Sequence, residues 1–80
     1  MKKDSTELLC DCVSRSLDRY FADMNGEEPT ELYDLVIGQI EKPLLEAVMD
    51  RSVSNQTRAA KMLGINRNTL RKKLRQYGLD

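Results

Sequence analysis

The segment Asn55–Leu79, NQTRAAKMLGINRNTLRKKLRQYGL, restricts the folds open to this chain more than any other part of it. Asn55 and Asn66 each precede a helix-forming run and suit the N-cap, where a side-chain oxygen accepts an otherwise unpaired backbone N–H. Gly64 lies between the two runs and reaches the left-handed backbone that closes a helix without a Cβ penalty. Gly78 followed by Leu79 repeats that ending. The spacing therefore predicts one helix from Asn55 through about Leu63 and a last helix from Arg67 to about Tyr77. Ala59 and Ala60 are small enough for two helices to cross closely, and Leu63, Ile65, Leu70 and Leu74 fall where they fill the space between them. Two short helices joined by a glycine-containing turn make a helix-turn-helix.

Upstream, Leu9, Val13, Leu17, Tyr20, Phe21 and Met24 follow the 3.6-residue period. They predict a helix from Thr6 to about Met24, N-capped by Asp4 or Ser5 and ended by Asn25-Gly26, with residues 1–5 a disordered tail. A second helix is expected from near Thr30 to Arg51, its early acidic residues matching the positive end of the helix dipole. Tyr33, Val36, Ile40, Leu44 and Ala47 line one of its faces; Leu35, Leu45 and Met49 lie roughly opposite. One small chain is hard pressed to cover both, so a second copy is the natural cover. Pro43 removes a backbone donor and crowds the carbonyl of Gln39, so this helix should kink or else divide into two near Lys42. Ser52–Ser54 form a turn. The expected organisation is a single all-α domain over 1–80, with helices in 6–51 for dimerisation and a helix-turn-helix in 55–79.

Eighty residues bury a small core, and chains of this size usually add disulfides, a metal or a second subunit. Cys10 and Cys12 are the only cysteines, and there is no histidine. Side chains two apart on a helix point roughly 200° from one another, so these two are poorly placed to pair. They do not make a zinc or C-x-x-C redox pattern either. Two reduced thiols are expected, at least one of them buried or interfacial, with no metal and no cofactor. Oligomerisation remains as the stabilising device.

The net charge of zero conceals a division. Residues 1–50 carry 12 acidic and 5 basic side chains, a net of −7; residues 51–80 carry 8 basic side chains and Asp80 alone as acid, a net of +7. A chain polarised in this way either meets a polyanion with its basic half or folds its halves against each other. On the last helix Leu70, Leu74 and Tyr77 form the inward stripe, while Asn68, Arg71, Lys72 and Arg75 take the opposite arc with Thr69 at its flank. Its N-terminal end, Asn66, Arg67, Asn68 and Thr69, is the end that a helix-turn-helix turns to base edges in the major groove. Arginine can bond guanine O6 and N7 together, and asparagine adenine N6 and N7. Lysines and further arginines suit phosphates. An ordinary amphipathic helix with a solvated basic face is the simpler alternative.

The block Asn55–Leu79, with YDLVIGQIEKPLLEAVM upstream of it, resembles the Fis family of nucleoid-associated DNA-bending proteins over more than half of the chain. The same block is similar to the C-terminal domain of NtrC-type transcription activators, which carry a large ATPase domain before it; with Met1 opening 80 residues, a free-standing Fis-like protein is the expectation. The resemblance implies a homodimer whose first two helices intertwine as a four-helix core, and recognition helices set closer together than one turn of straight DNA. It places Asn66, Arg67 and Thr69 in the groove, with Arg67 on a guanine. It assigns Asn55, Thr57, Arg58, Arg71, Lys72 and Lys73 to phosphates. Relatives that stimulate DNA inversion carry a flexible arm before the first helix; about five residues precede it here, so recombinase activation is not expected. Such sequences often have glycine before Asn55, where this one has Ser54.

The expected function is sequence-tolerant binding and bending of double-stranded DNA by a homodimer that organises the bacterial nucleoid and modulates transcription, with the transcription machinery as a further partner. An isolated activator domain and a helical protein-interaction module are the alternatives. Catalysis is not expected: there is no histidine, no metal cluster, no phosphate-cradling glycine loop and no nucleophile beside a base. No apolar run approaches the roughly 18 residues that span a bilayer, and no signal-peptide pattern opens the chain, so a cytoplasmic location is expected.

Overall fold

The computed structural model describes the backbone from Lys2 to Asp80 and the side chains from Leu8 onward. It is all-α: α1 spans Lys2–Asp23, α2 Leu32–Arg51, α3 Gln56–Leu63 and α4 Arg67–Gln76. The chain divides into two compact units, Met1–Thr30 and Glu31–Asp80. Leu45 is the reason: α2 joins the helix-turn-helix by burying this side chain with Ala59, Ala60, Leu70 and Leu74.

The first unit is α1 and its exit turn. The helix begins at Lys2, four residues before Thr6, so Asp4 and Ser5 lie inside it and the expected tail over 1–5 is helical from Lys2 onward; Met1 lies outside the described residues. Apolar periodicity marks the first residue with something to bury, whereas a helix can start earlier on polar residues. Val13, Leu17, Tyr20 and Met24 of the expected stripe are half-buried, while Leu9 and Phe21 are exposed. Cys10 and Cys12 are both free and exposed, so neither is buried within the chain. Asn25 (φ 54°) and Gly26 (φ 85°) take the left-handed conformation and end the helix.

In the second unit, α2 starts at Leu32 rather than Thr30. Its N-cap is Glu31, left-handed at φ 55°, which makes no side-chain cap bond and accepts the N–H of Leu35 on its backbone carbonyl at 3.1 Å. The helix continues through Pro43 to Arg51 without dividing near Lys42. Proline has no N–H to offer the Gln39 carbonyl.

α3 and α4 have the expected bounds within a residue, and their caps explain why. Asn55 accepts the Arg58 N–H on its side-chain oxygen at 3.1 Å, and Asn66 accepts the Asn68 N–H at 2.7 Å. At the end of α3, Gly64 (φ 76°) lets its own N–H reach the Lys61 carbonyl at 3.2 Å and the Ile65 N–H reach the Ala60 carbonyl at 3.0 Å. This is the paired arrangement that satisfies the last carbonyls of a helix. The same pair closes α4, from Gly78 to Arg75 and from Leu79 to Leu74. Val48, Met49, Leu63, Ile65, Tyr77 and Leu79 pack around the buried core.

The turn between α2 and α3 is strained. Ser52 is buried, donating its hydroxyl to the Met49 carbonyl at 3.2 Å. Val53 and Ser54 then both adopt left-handed φ, 55° and 61°. For a β-branched residue that conformation is an outlier, and Val53 is also exposed. The Ser54 N–H bonds the Met49 carbonyl at 2.9 Å, so the tight reversal places Asn55 at its cap.

Candidate nucleic-acid interface

With Leu70 and Leu74 fully buried, the opposite arc of α4 is fixed outward. Arg67, Asn68, Thr69, Arg71, Lys72 and Arg75 are all exposed, and so are Thr57, Arg58 and Lys61 on α3. Asn68, Arg71, Lys72 and Arg75 line a shallow, open depression of about 290 Å³ along the outside of the helix. The result is a cationic surface without a cavity. Six cations, Arg58, Lys61, Arg67, Arg71, Lys72 and Arg75, are carried on two helices whose mutual geometry is set by the Ala59–Leu70–Leu74 core. The contact between Arg75 Nε and Asp80 at 3.9 Å joins two exposed side chains and does little to neutralise that surface.

The two asparagines assigned to this surface are each half committed. Asn66 Oδ1 receives the Asn68 N–H and Asn55 Oδ1 receives the Arg58 N–H. Bidentate recognition of adenine needs both the oxygen and the nitrogen of the amide. While they cap their helices, Asn55 and Asn66 still offer their NH₂ donors, which suit an acceptor such as a phosphate oxygen. Helix N-termini carry unpaired N–H groups and favour anions in the same place.

Lys73 stands apart from the other assigned cations. It is half-buried, and its ammonium lies 2.8 Å from Glu41 Oε2 on α2. Tyr77, the C-cap of α4 one turn further on, donates its hydroxyl to Glu41 Oε1 at 2.7 Å. Both oxygens of one carboxylate are thereby occupied by α4. The Lys73 and Tyr77 hydrogen bonds hold the Glu41 carboxyl below its usual range, against a smaller opposing effect of burial. Tyr77 is raised, first by its hydrogen bond to Glu41, then by desolvation and by the Glu41 and Asp34 charges. Sequence reading placed Tyr77 inward but passed over Glu41. The available signal was its position four residues before Leu45, on the face that α2 turns to the helix-turn-helix.

The residues expected at base edges and those expected at phosphates, Lys73 excepted, are thus all exposed. Among known proteins, the profile described as bacterial regulatory protein, Fis family, matches residues 36–77. Proteins named DNA-binding protein Fis from Vibrio cholerae, Vibrio campbellii and Vibrio vulnificus are each 56% identical to this chain over 72 residues, 90% of this chain and 74% of theirs. A match of that extent runs beyond the helix-turn-helix block and well into α1. The chain belongs to the Fis family of bacterial regulatory proteins.

Proposed function

We propose that this protein is a nucleoid-associated regulator that binds and bends double-stranded DNA as a homodimer, without catalysing a reaction. The observation that carries this reading is the outward cationic surface of α3 and α4, fixed by a core that buries Leu45, Leu70 and Leu74 on the other side. Relatives named for DNA binding support it over a protein-interaction module, and a match reaching into α1 supports it over an isolated activator domain.

In this reading Arg67 and Thr69 enter the major groove, with Arg67 donating to guanine O6 and N7. Asn66 donates its amide nitrogen at the groove edge, its oxygen being the helix cap. Thr57, Arg58, Arg71 and Lys72 approach phosphates together with the amide of Asn55. These contacts supply register and most of the affinity, but little sequence information.

The second copy is supported by apolar surface that the chain leaves open. On α2, Tyr33 and Leu44 are exposed at 76% and 47%; on α1, Leu8, Leu9 and Phe21 are exposed. Successive major-groove faces of straight DNA lie about 34 Å apart, and a dimer whose recognition helices are closer than that engages both by bending the duplex. A regulator of this kind works in the bacterial nucleoid, within the cytoplasm, through DNA shape and through contact with the transcription machinery. No helix among the described residues is long and apolar enough to cross a membrane. The test is a duplex carrying a fluorescent donor and acceptor at its two ends, titrated with the protein. Saturable binding of two chains with a shortened end-to-end distance is expected. Binding without shortening would remove bending, and no binding at low salt would overturn the whole reading.

A further inference from the structure

Every other cation of α4 is exposed, yet Lys73 is drawn back against α2. Its side chain is 33% exposed, and that of its partner Glu41 is 19% exposed. The pair therefore sits at the edge of the core, where solvent screens a charge less than on an open surface. Hydrogen bonds between ionised groups are shorter and about twice as strong as neutral ones, and this carboxylate makes one to Lys73 while accepting a second bond from Tyr77. Lys73 and Tyr77 are four residues apart and so share one face of α4. Thr69, four residues before Lys73, continues that row towards the end of the helix that meets bases. Lys72, one residue away, lies on the outer arc.

We infer that Glu41 is a positioning residue for DNA binding: it withholds the Lys73 ammonium from phosphate and uses it, with Tyr77, to pin the recognition helix to α2. This rests on the DNA-binding reading above and changes the account of which cations bind. A helix bearing RKK in succession offers three charges by its sequence, and Glu41 reduces the number presented to DNA to two, Arg71 and Lys72. The gain is a recognition helix whose rotation about its own axis is fixed from the C-terminal half. The side chains at its N-terminal end then meet the groove in one orientation.

The dependence of DNA affinity on salt separates this role from a merely structural one, because it counts phosphates neutralised, at about 0.9 in log–log slope for each. Affinity of the full chain for a random duplex is measured at several salt concentrations for the wild type, Lys73→Met, Glu41→Gln and the double variant. Lys73→Met is expected to keep the wild-type slope. Glu41→Gln removes the charge that holds Lys73 and should steepen the slope by about 0.9 per protomer. The double variant should return to the wild-type slope. A Lys73→Met slope shallower by about 0.9 would mean that Lys73 already meets phosphate, overturning the inference. So would a Glu41→Gln slope that does not steepen, or one that stays steep in the double variant. If far-ultraviolet circular dichroism shows Glu41→Gln to be unfolded, the Lys73→Met arm decides alone. A wild type with no salt-dependent binding would sink the DNA-binding reading, and the inference with it, which is a different result from any of these.

Discussion

The two units of this chain use the same kind of amphipathic helix and finish it differently. In Glu31–Asp80, α2, α3 and α4 close on one another, and Leu45, Ala59, Ala60, Leu70 and Leu74 are almost completely buried. In Met1–Thr30, no described side chain is buried, and Leu8, Leu9 and Phe21 are exposed. The comparison teaches that an apolar stripe identifies a face without identifying what covers it. α2 carries both cases on one helix: the side bearing Leu45, Val48 and Met49 is covered by α3 and α4, while Tyr33 and Leu44 remain open. The covered faces make a unit with its own core; the open ones are where the proposed second copy would dock.

The largest effect that could break this comparison is in the core. Leu74→Ala should cost about 2–5 kcal/mol in urea unfolding, since the site is walled by three helices that relax only partly around the void. Leu9→Ala should act otherwise, lowering the melting temperature most at low protein concentration, as expected for a residue whose cover is another chain. If both substitutions shifted stability equally at every concentration, the distinction between a closed and an open unit would be wrong.

What the sequence made legible follows the same line. The helix-turn-helix was readable almost to the residue because its boundaries are set by local chemistry: Asn55 and Asn66 as caps, Gly64 and Gly78 as terminators. The start of α1 was misjudged because Lys2–Ser5 carry no apolar periodicity. The covering of Leu45 was not readable either, since the apolar pattern of α2 is the same whether a face meets this chain or another. Within the site, the exposed arc of α4 followed from its period, but the removal of Lys73 from that arc did not. It depends on Glu41, 32 positions earlier in the sequence, and spacing along one helix cannot reveal a partner on another.

Smaller effects sharpen the account. Arg67→Ala should cost about 1–3 kcal/mol on a preferred duplex and flatten the preference over a scrambled one. Lys72→Ala should weaken binding to both alike and reduce the salt slope by about one per protomer. Equal losses on both duplexes for Arg67→Ala would make it a phosphate anchor. In the turn, Val53→Gly should stabilise the fold by about 1 kcal/mol, because glycine escapes the left-handed penalty of roughly 1–2 kcal/mol while losing part of that gain to chain entropy. A destabilised variant would show that Val53 packs usefully despite its exposure.

The pH dependence should be subtler and two-sided. Glu41 is depressed in the fold, so its contribution to stability is present above the ordinary carboxylate range and is lost as pH falls through its folded value. Tyr77 is raised, so its contribution is present below the ordinary phenol range and is lost as pH climbs through its folded value. The melting-temperature advantage of wild type over Glu41→Gln should therefore narrow towards both acid and alkali, and Tyr77→Phe should abolish the alkaline change and reduce the acid one, since its hydroxyl helps to hold Glu41 low. An advantage that stayed constant across pH would separate the variant's effect from these ionisations.

The central claim is that the cationic surface of α3 and α4 anchors on phosphates, in two copies. It is tested most directly by the affinity of the wild-type chain for random duplex DNA over a series of salt concentrations. If each copy neutralises about three phosphates, through Arg58, Arg71 and Lys72, log affinity of the dimer should fall with log salt at a slope near −5 (about −0.9 for each phosphate). An affinity that barely changes between low and moderate salt would contradict it.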